Sequence, residues 1–206
     1  MFFVIVFMMS FLANLVLQTV GKEAGNRHKG PSEKIQVEIE LIRLENPYGI
    51  SVDGPCDPML AGCDTRIFAY IDWENPFATW PGSRPFSAED LIFEVEEPVP
   101  TSMDIRRIMT NHVCAAPYRG FALRVQVMDE DKLFRAPDDL INNFNCISKQ
   151  KPTEWMELAR WSNDTYCDAV KNQPGVSLMF RSRVFKVAGP PCSLAPDLTL
   201  TVGASP

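Results

Sequence analysis

The strongest constraint on the fold is the alternation of Phe121, Leu123, Val125 and Val127 with Arg124 and Gln126. Apolar residues at every second position share one face of an extended chain, so this segment reads as a strand. It runs straight into Asp129-Glu130-Asp131, and a second acidic pair, Asp138-Asp139, follows across a short loop before Leu140-Ile141. The same period marks Ile35, Val37, Ile39 and Leu41, which alternate with Gln36, Glu38 and Glu40. The phase then shifts to Ile42 and Leu44, which predicts a bulge. Arg66 to Trp73 reads as a second strand with large side chains on both faces. Leu91, Phe93 and Val95 mark a third, and Leu178, Phe180 and Val184, with Arg181 and Arg183 opposite, mark a late one. Residues 154–161 fit a short helix or a strand equally well. Residues 45–64 and 75–85 are dense in Asn, Pro, Gly and Asp and read as loops. No helical period is sustained and no repeat is visible. Short strands parted by Pro/Gly turns predict an all-β fold, an antiparallel sandwich of about eight strands.

The first charged residue is Lys22, and the chain is apolar from Met1 to about Val20. Thr19-Val20-Gly21 supplies small residues at a cleavage position, so residues 1–21 read as a signal peptide of a secreted protein. A transmembrane anchor competes, but Asn14, Gln18 and Thr19 interrupt the apolar run that ~20 residues of span require. Residues 22–34 read as a flexible leader, 35–189 as the domain and 190–206 as a flexible tail. The six cysteines, Cys56, Cys63, Cys114, Cys146, Cys167 and Cys192, then read as three disulfides. The short pair Cys56–Cys63 is favoured and the other pairings stay open. A thiolate zinc site is the rival, disfavoured because no Cys-x-x-Cys occurs and only His28 and His112 are present. Asn163-Asp164-Thr165 is a glycosylation sequon.

A net charge of −6 argues against a nucleic-acid partner and suits metal cations. Ca²⁺ takes six to eight oxygens at ~2.3–2.6 Å, and carboxylates gathered at a strand end supply several at once. Asp129, Asp131, Asp138 and Asp139 are therefore candidate ligands. The plain alternative is that these acids are turn formers and solvated charges. No nucleophile elbow, phosphate loop, Ser/His/Asp set or histidine-rich zinc motif is present, so a non-enzymatic protein is expected. His112, beside Cys114, reads as structural. Trp73, Trp80, Trp155 and Trp161 read as core or rim packing, with Trp80 a lesser candidate for a lipid surface.

Read together, residues 35 to 187 resemble a C2 domain, an eight-stranded sandwich that binds calcium at one end. In that family a later strand leads into Asp-x-Asp, a short gap, then Asp and two apolar residues. Here these are Asp129, Asp131 and Asp139-Leu140-Ile141, with a gap about two residues longer. An earlier acidic loop carries two aspartates, which the resemblance assigns to Asp57 and Asp64, the second before Arg66-Ile67-Phe68-Ala69-Tyr70-Ile71. A Cys56–Cys63 bridge would staple that loop. The family also sets apolar tips beside the metal, which implies Phe134 as a membrane-inserting residue with Lys132 and Arg135 meeting anionic head groups.

Among extracellular members the chain looks most like the N-terminal C2-like domain of Notch ligands of the Delta, Serrate and Jagged type. The motifs carrying this are Glu45-Asn46-Pro47-Tyr48-Gly49, Gly54-Pro55-Cys56, Trp161-Ser162-Asn163-Asp164 and Leu178-Met179-Phe180-Arg181-Ser182-Arg183-Val184. Lys186 stands where those ligands place the cysteine that opens their receptor-binding module, and Cys192 comes later. The resemblance thus implies the lipid-side domain without the receptor-binding and EGF modules. It implies calcium-dependent binding to a lipid or glycolipid surface, with a Notch-type receptor as a further partner. The alternative is a disulfide-stapled protein-interaction domain that binds no metal.

Overall fold

The structure, a computed structural model, describes residues 34–56, 62–95, 102–114, 117–130 and 137–188. The expected signal peptide, most of the leader, the tail, Asp57, Asp131, Lys132, Phe134, Arg135 and Cys192 lie outside the described residues. Among those described, the strands are β1 (Ile35–Glu45), β2 (Thr65–Asp72), β3 (Leu91–Glu94), β4 (Ser102–Val113), β5 (Phe121–Asp129), β6 (Asp139–Ser148), β7 (Thr165–Tyr166), β8 (Asp168–Ala169) and β9 (Ser177–Lys186). They form two antiparallel sheets, ordered β4-β1-β9-β7 and β3-β2-β5-β6-β8. Among the described residues helix is limited to single 3-10 turns at Ala88–Asp90 and Met156–Leu158, so residues 154–161 form neither a regular helix nor a strand. No helix among the described residues is long and apolar enough to cross a membrane.

The expected β-sandwich is what forms. Ile35, Val37, Ile39 and Leu41 of β1 face Ile67 of β2, Leu123, Val125 and Val127 of β5, and Ile141 and Phe144 of β6 in one buried core. The bulge expected after Leu41 is present as a register shift between Leu41 and Arg43 against both β4 and β9. It explains why β4, twelve residues long, is not legible as alternation. Arg106 opposite the shift adopts a positive φ of 49°. A slip of one residue moves every following side chain to the other face, so a period-2 pattern cannot run through it.

The second face of β2 is covered from its own downstream loop. Residues 73–90 fold back, and the Tyr70 hydroxyl donates to the Pro81 carbonyl at 2.6 Å. Phe86 packs edge-on against Tyr70 and stacks on Trp80. Gly82 has φ of +97°, and a Cβ there would lie 2.4–2.8 Å from atoms of Asp72, Arg124 and Tyr70. Only glycine permits that turn to sit on the sheet.

Candidate functional site

β1, β2, β5, β6 and β9 each place one end at the same pole. The connection from β1 is anchored by Asn46, whose side chain bonds the Ile50 backbone in both directions and reaches the Cys63 sulfur at 3.4 Å. The Val52 N–H donates to the Leu140 carbonyl at 2.7 Å, which ties this loop to the start of β6. The favoured Cys56–Cys63 disulfide is present and buried. A second bridge joins Cys146 to Cys167 across β6 and the β7–β8 segment, and Cys114 is also disulfide-bonded.

Asp129 is the last residue of β5. It pairs across the sheet with Thr65 of β2 on one side and Asp139 of β6 on the other. Asp64 precedes Thr65, and its backbone N–H donates to Asp129 Oδ1 at 2.7 Å. The Glu130 N–H donates back to the Asp64 carbonyl at 2.9 Å. The two acidic loops, about 65 residues apart in the chain, therefore meet. Asp129 is only 1% exposed, while Asp64 and Asp139 are half-buried. Asp138, the residue before β6, is ion-paired, with Oδ2 3.3 Å from Arg66 Nη1.

Arg66 is a site residue the sequence reading missed, as are Glu94 and Glu130. Its guanidinium reaches Glu94 at 3.3 Å and Glu130 at 3.7 Å as well as Asp138. The available signal was positional: Arg66 is two residues from Asp64 on a strand and so belongs to the same pole. Tyr48 and Val52, 69% and 41% exposed, were also missed as apolar groups on the loop of this pole.

Asp129 and Asp139 stand opposite each other on adjacent strand ends, and carboxylate oxygens suit a hard cation such as Ca²⁺ rather than a soft one. Asp64, Asp129 and Asp139 are the described residues that could hold it. Cys56, Cys63 and Asp129 also bring ligand-type atoms within 4.8 Å of one another. The two sulfurs are bonded to each other, so this group is no thiolate zinc site.

Elsewhere, Asp72 and Arg124 form an ion pair at 3.2 Å with both side chains fully buried at the opposite pole. Burial pushes the Asp72 carboxyl up, but hydrogen bonds from Ser83 and the Asn75 N–H, with the Arg124 charge, outweigh it and hold the pKa below the usual carboxylate range. Trp73 packs against the core and Trp161 lies under the guanidinium groups of Arg181 and Arg183. Trp155 departs from the packing expected of it. It is 63% exposed because it opens the 3-10 turn Met156–Leu158 outside both sheets, where no apolar face meets it; Met156 and Leu158 are exposed beside it. Asn163 is exposed.

No family model and no curated protein matches the chain. Among solved structures, it is similar to the crystal structure of a C2 domain protein from Ramazzottius varieornatus. That match has a TM-score of 0.66 at 26% identity and covers 76% of this chain and 91% of the other. The fold is C2-like. Human GIVD cytosolic phospholipase A2 matches with a TM-score of 0.50 at 11% identity, over 77% of this chain and 17% of that one, a likeness of fold alone. A Drosophila C2-DSL-EGF1 structure matches at 15% identity over 78% of this chain and 68% of that one; its TM-score of 0.46 is too low to bear on the ligand type.

Proposed function

We propose that this chain is a secreted, non-enzymatic binding module whose acidic pole takes Ca²⁺ and, through it, the anionic head groups of a lipid or glycolipid surface. The observation that carries the reading is the hydrogen bond from the Asp64 N–H to Asp129 Oδ1, with Asp139 paired opposite Asp129. Like charges directly opposite on adjacent strand ends, as Asp129 and Asp139 are, repel each other, and a divalent ion removes that repulsion. Asp57 and Asp131 belong to the same two loops and complete the proposed ligand set. Tyr48 and Val52, with Phe134, Lys132 and Arg135, are the proposed surface-contacting residues. The C2-like fold supports the reading. A place in Notch-type signalling, and a sugar on Asn163, are parts of this proposal that rest on the sequence motifs.

Sedimentation with vesicles containing phosphatidylserine tests the lipid step. Wild type should pellet in millimolar Ca²⁺ and stay in solution with chelator, and Asp129→Asn should stay in solution in both. Equal pelleting of the two proteins in calcium would reject calcium bridging.

A second reading is a protein-interaction domain without metal, favoured by the exposed turn Trp155-Met156-Glu157-Leu158. Aromatic and methionine side chains are enriched in protein interfaces.

A further inference from the structure

Trp161-Ser162-Asn163-Asp164-Thr165 sets an aromatic ring two residues ahead of the asparagine of the chain's one Asn-x-Thr sequon. The segment runs along the side of β9 away from β1. The Ser162 N–H donates to the Ser182 carbonyl at 2.7 Å, and Thr165 pairs with Phe180. Asn163 and Asp164 therefore oppose the single Arg181, the arrangement of a bulge. Side chains alternate along an extended chain, so Trp161 and Asn163 share the face on which Arg181 and Arg183 stand. The Trp161 ring lies 5.2 Å and 4.9 Å from the two guanidinium carbons. Those guanidiniums are held in turn by ion pairs to the buried carboxylates of Glu40 and Glu38, at 2.6 Å and 2.5 Å. The indole is thus braced from the sheet, takes no part in the core between the sheets, and stays only half-buried. Asn163, Asp164 and Thr165 are exposed. The Ser162 and Thr165 hydroxyls both donate to the Asn163 carbonyl, and among the described residues its side-chain amide has no partner.

We infer that the exposed part of the Trp161 ring is the seat of the first N-acetylglucosamine of a glycan on Asn163. A pyranose turns a face of C–H groups to one side, and that face packs on an indole as apolar surface does. Positions two apart on one face of an extended chain are separated by about 7 Å, within reach of a sugar linked to the Asn163 amide nitrogen. The ion-paired arginines hold the ring in place, so the contact asks for little further ordering. The sugar becomes part of the fold at this sheet edge. The inference rests on the secreted, glycosylated part of the proposed function and adds where the sugar sits and what it does for stability.

Two enzymatic trims of the same glycoprotein test it. The full chain is expressed in a secretory host that makes high-mannose glycans, and its mass reports whether Asn163 is modified. Endoglycosidase H leaves one N-acetylglucosamine on Asn163, whereas peptide N-glycosidase F removes it and leaves an aspartate. The second product should melt about 2–4 °C below the first, the shift for one contact of the strength of an aromatic pair. In Trp161→Ala, where the same asparagine-to-aspartate change is made, the gap should close. No gap in wild type, or a gap that Trp161→Ala keeps in full, overturns the inference and leaves the sugar of the proposed function standing; an unmodified Asn163 overturns both. Should Trp161→Ala fail to fold, the sugar-ring proton resonances of the endoglycosidase H product decide. In folded wild type they should lie upfield, under the indole ring current, and should return to their free positions in urea; resonances that do not move overturn the inference.

Discussion

At Arg124 a full positive charge is cut off from water, and the chain answers it with Asp72, the Asn145 side chain and the carbonyls of Asn75, Pro76 and Ala78. An arginine in the middle of the most regular strand is legible in the sequence; its burial is not, because the covering groups come from a loop about 50 residues upstream. Removing one partner of such a pair leaves the other buried and unpaired, at about 3–5 kcal/mol. Arg124→Met should lose stability on that scale in urea unfolding, well beyond a surface change such as Trp155→Ala, expected within about 0.5 kcal/mol. Asp72 also sets an acid limit. Its folded pKa is lowered, so its contribution is fully present above the unfolded value of about 3.9 and is lost as pH falls through the folded value. Melts from neutral pH downward should show the midpoint dropping in that window below about pH 4. A midpoint flat through it would contradict the assignment.

Among the elements, the ones with clean alternation were readable: β1 with its bulge, β5, and the apolar side of β9. β4 was not, because the irregularity at Arg106 breaks its phase. β6 was not, because Asn142, Asn143 and Asn145 interrupt its pattern, and Asn142 is fully buried in bonds to Lys171 backbone groups. That Asp64 and Asp129 meet is seen in the bond between them; neither loop's own sequence implies it, and only the family resemblance suggests it. The part played by Arg66 depends on which strand ends align and needs the structure. The loop from β1 is held by its own disulfide. Closing a loop with a seven-residue separation contributes about 2–3 kcal/mol in the chain-entropy account. Cys56→Ser/Cys63→Ser should therefore lower the melting midpoint by several degrees, and it should weaken any calcium response because the loop carrying Asp57 and Asp64 loses its staple. A double variant whose calcium response matches wild type would show that the loop does not need the bridge.

For the whole molecule, the two sheets share one core while charge is distributed unevenly along it. One pole carries the converging acids and the other a buried, internally neutralised ion pair. Under the proposed function the stability of the chain depends on Ca²⁺ in solution, which is the central claim. The direct measurement is a thermal melt of the chain in chelator and in millimolar CaCl2. Extracellular modules bind Ca²⁺ at 10⁻⁴ to 10⁻³ M, roughly. At tenfold excess over the dissociation constant the native state gains about 1.4 kcal/mol, a rise of about 3–6 °C for a domain of this size. Asp129→Asn, which keeps the acceptor for the Asp64 N–H and removes the charge, should show no such rise. A wild-type midpoint that does not move with calcium, or a rise that Asp129→Asn retains in full, would contradict the account.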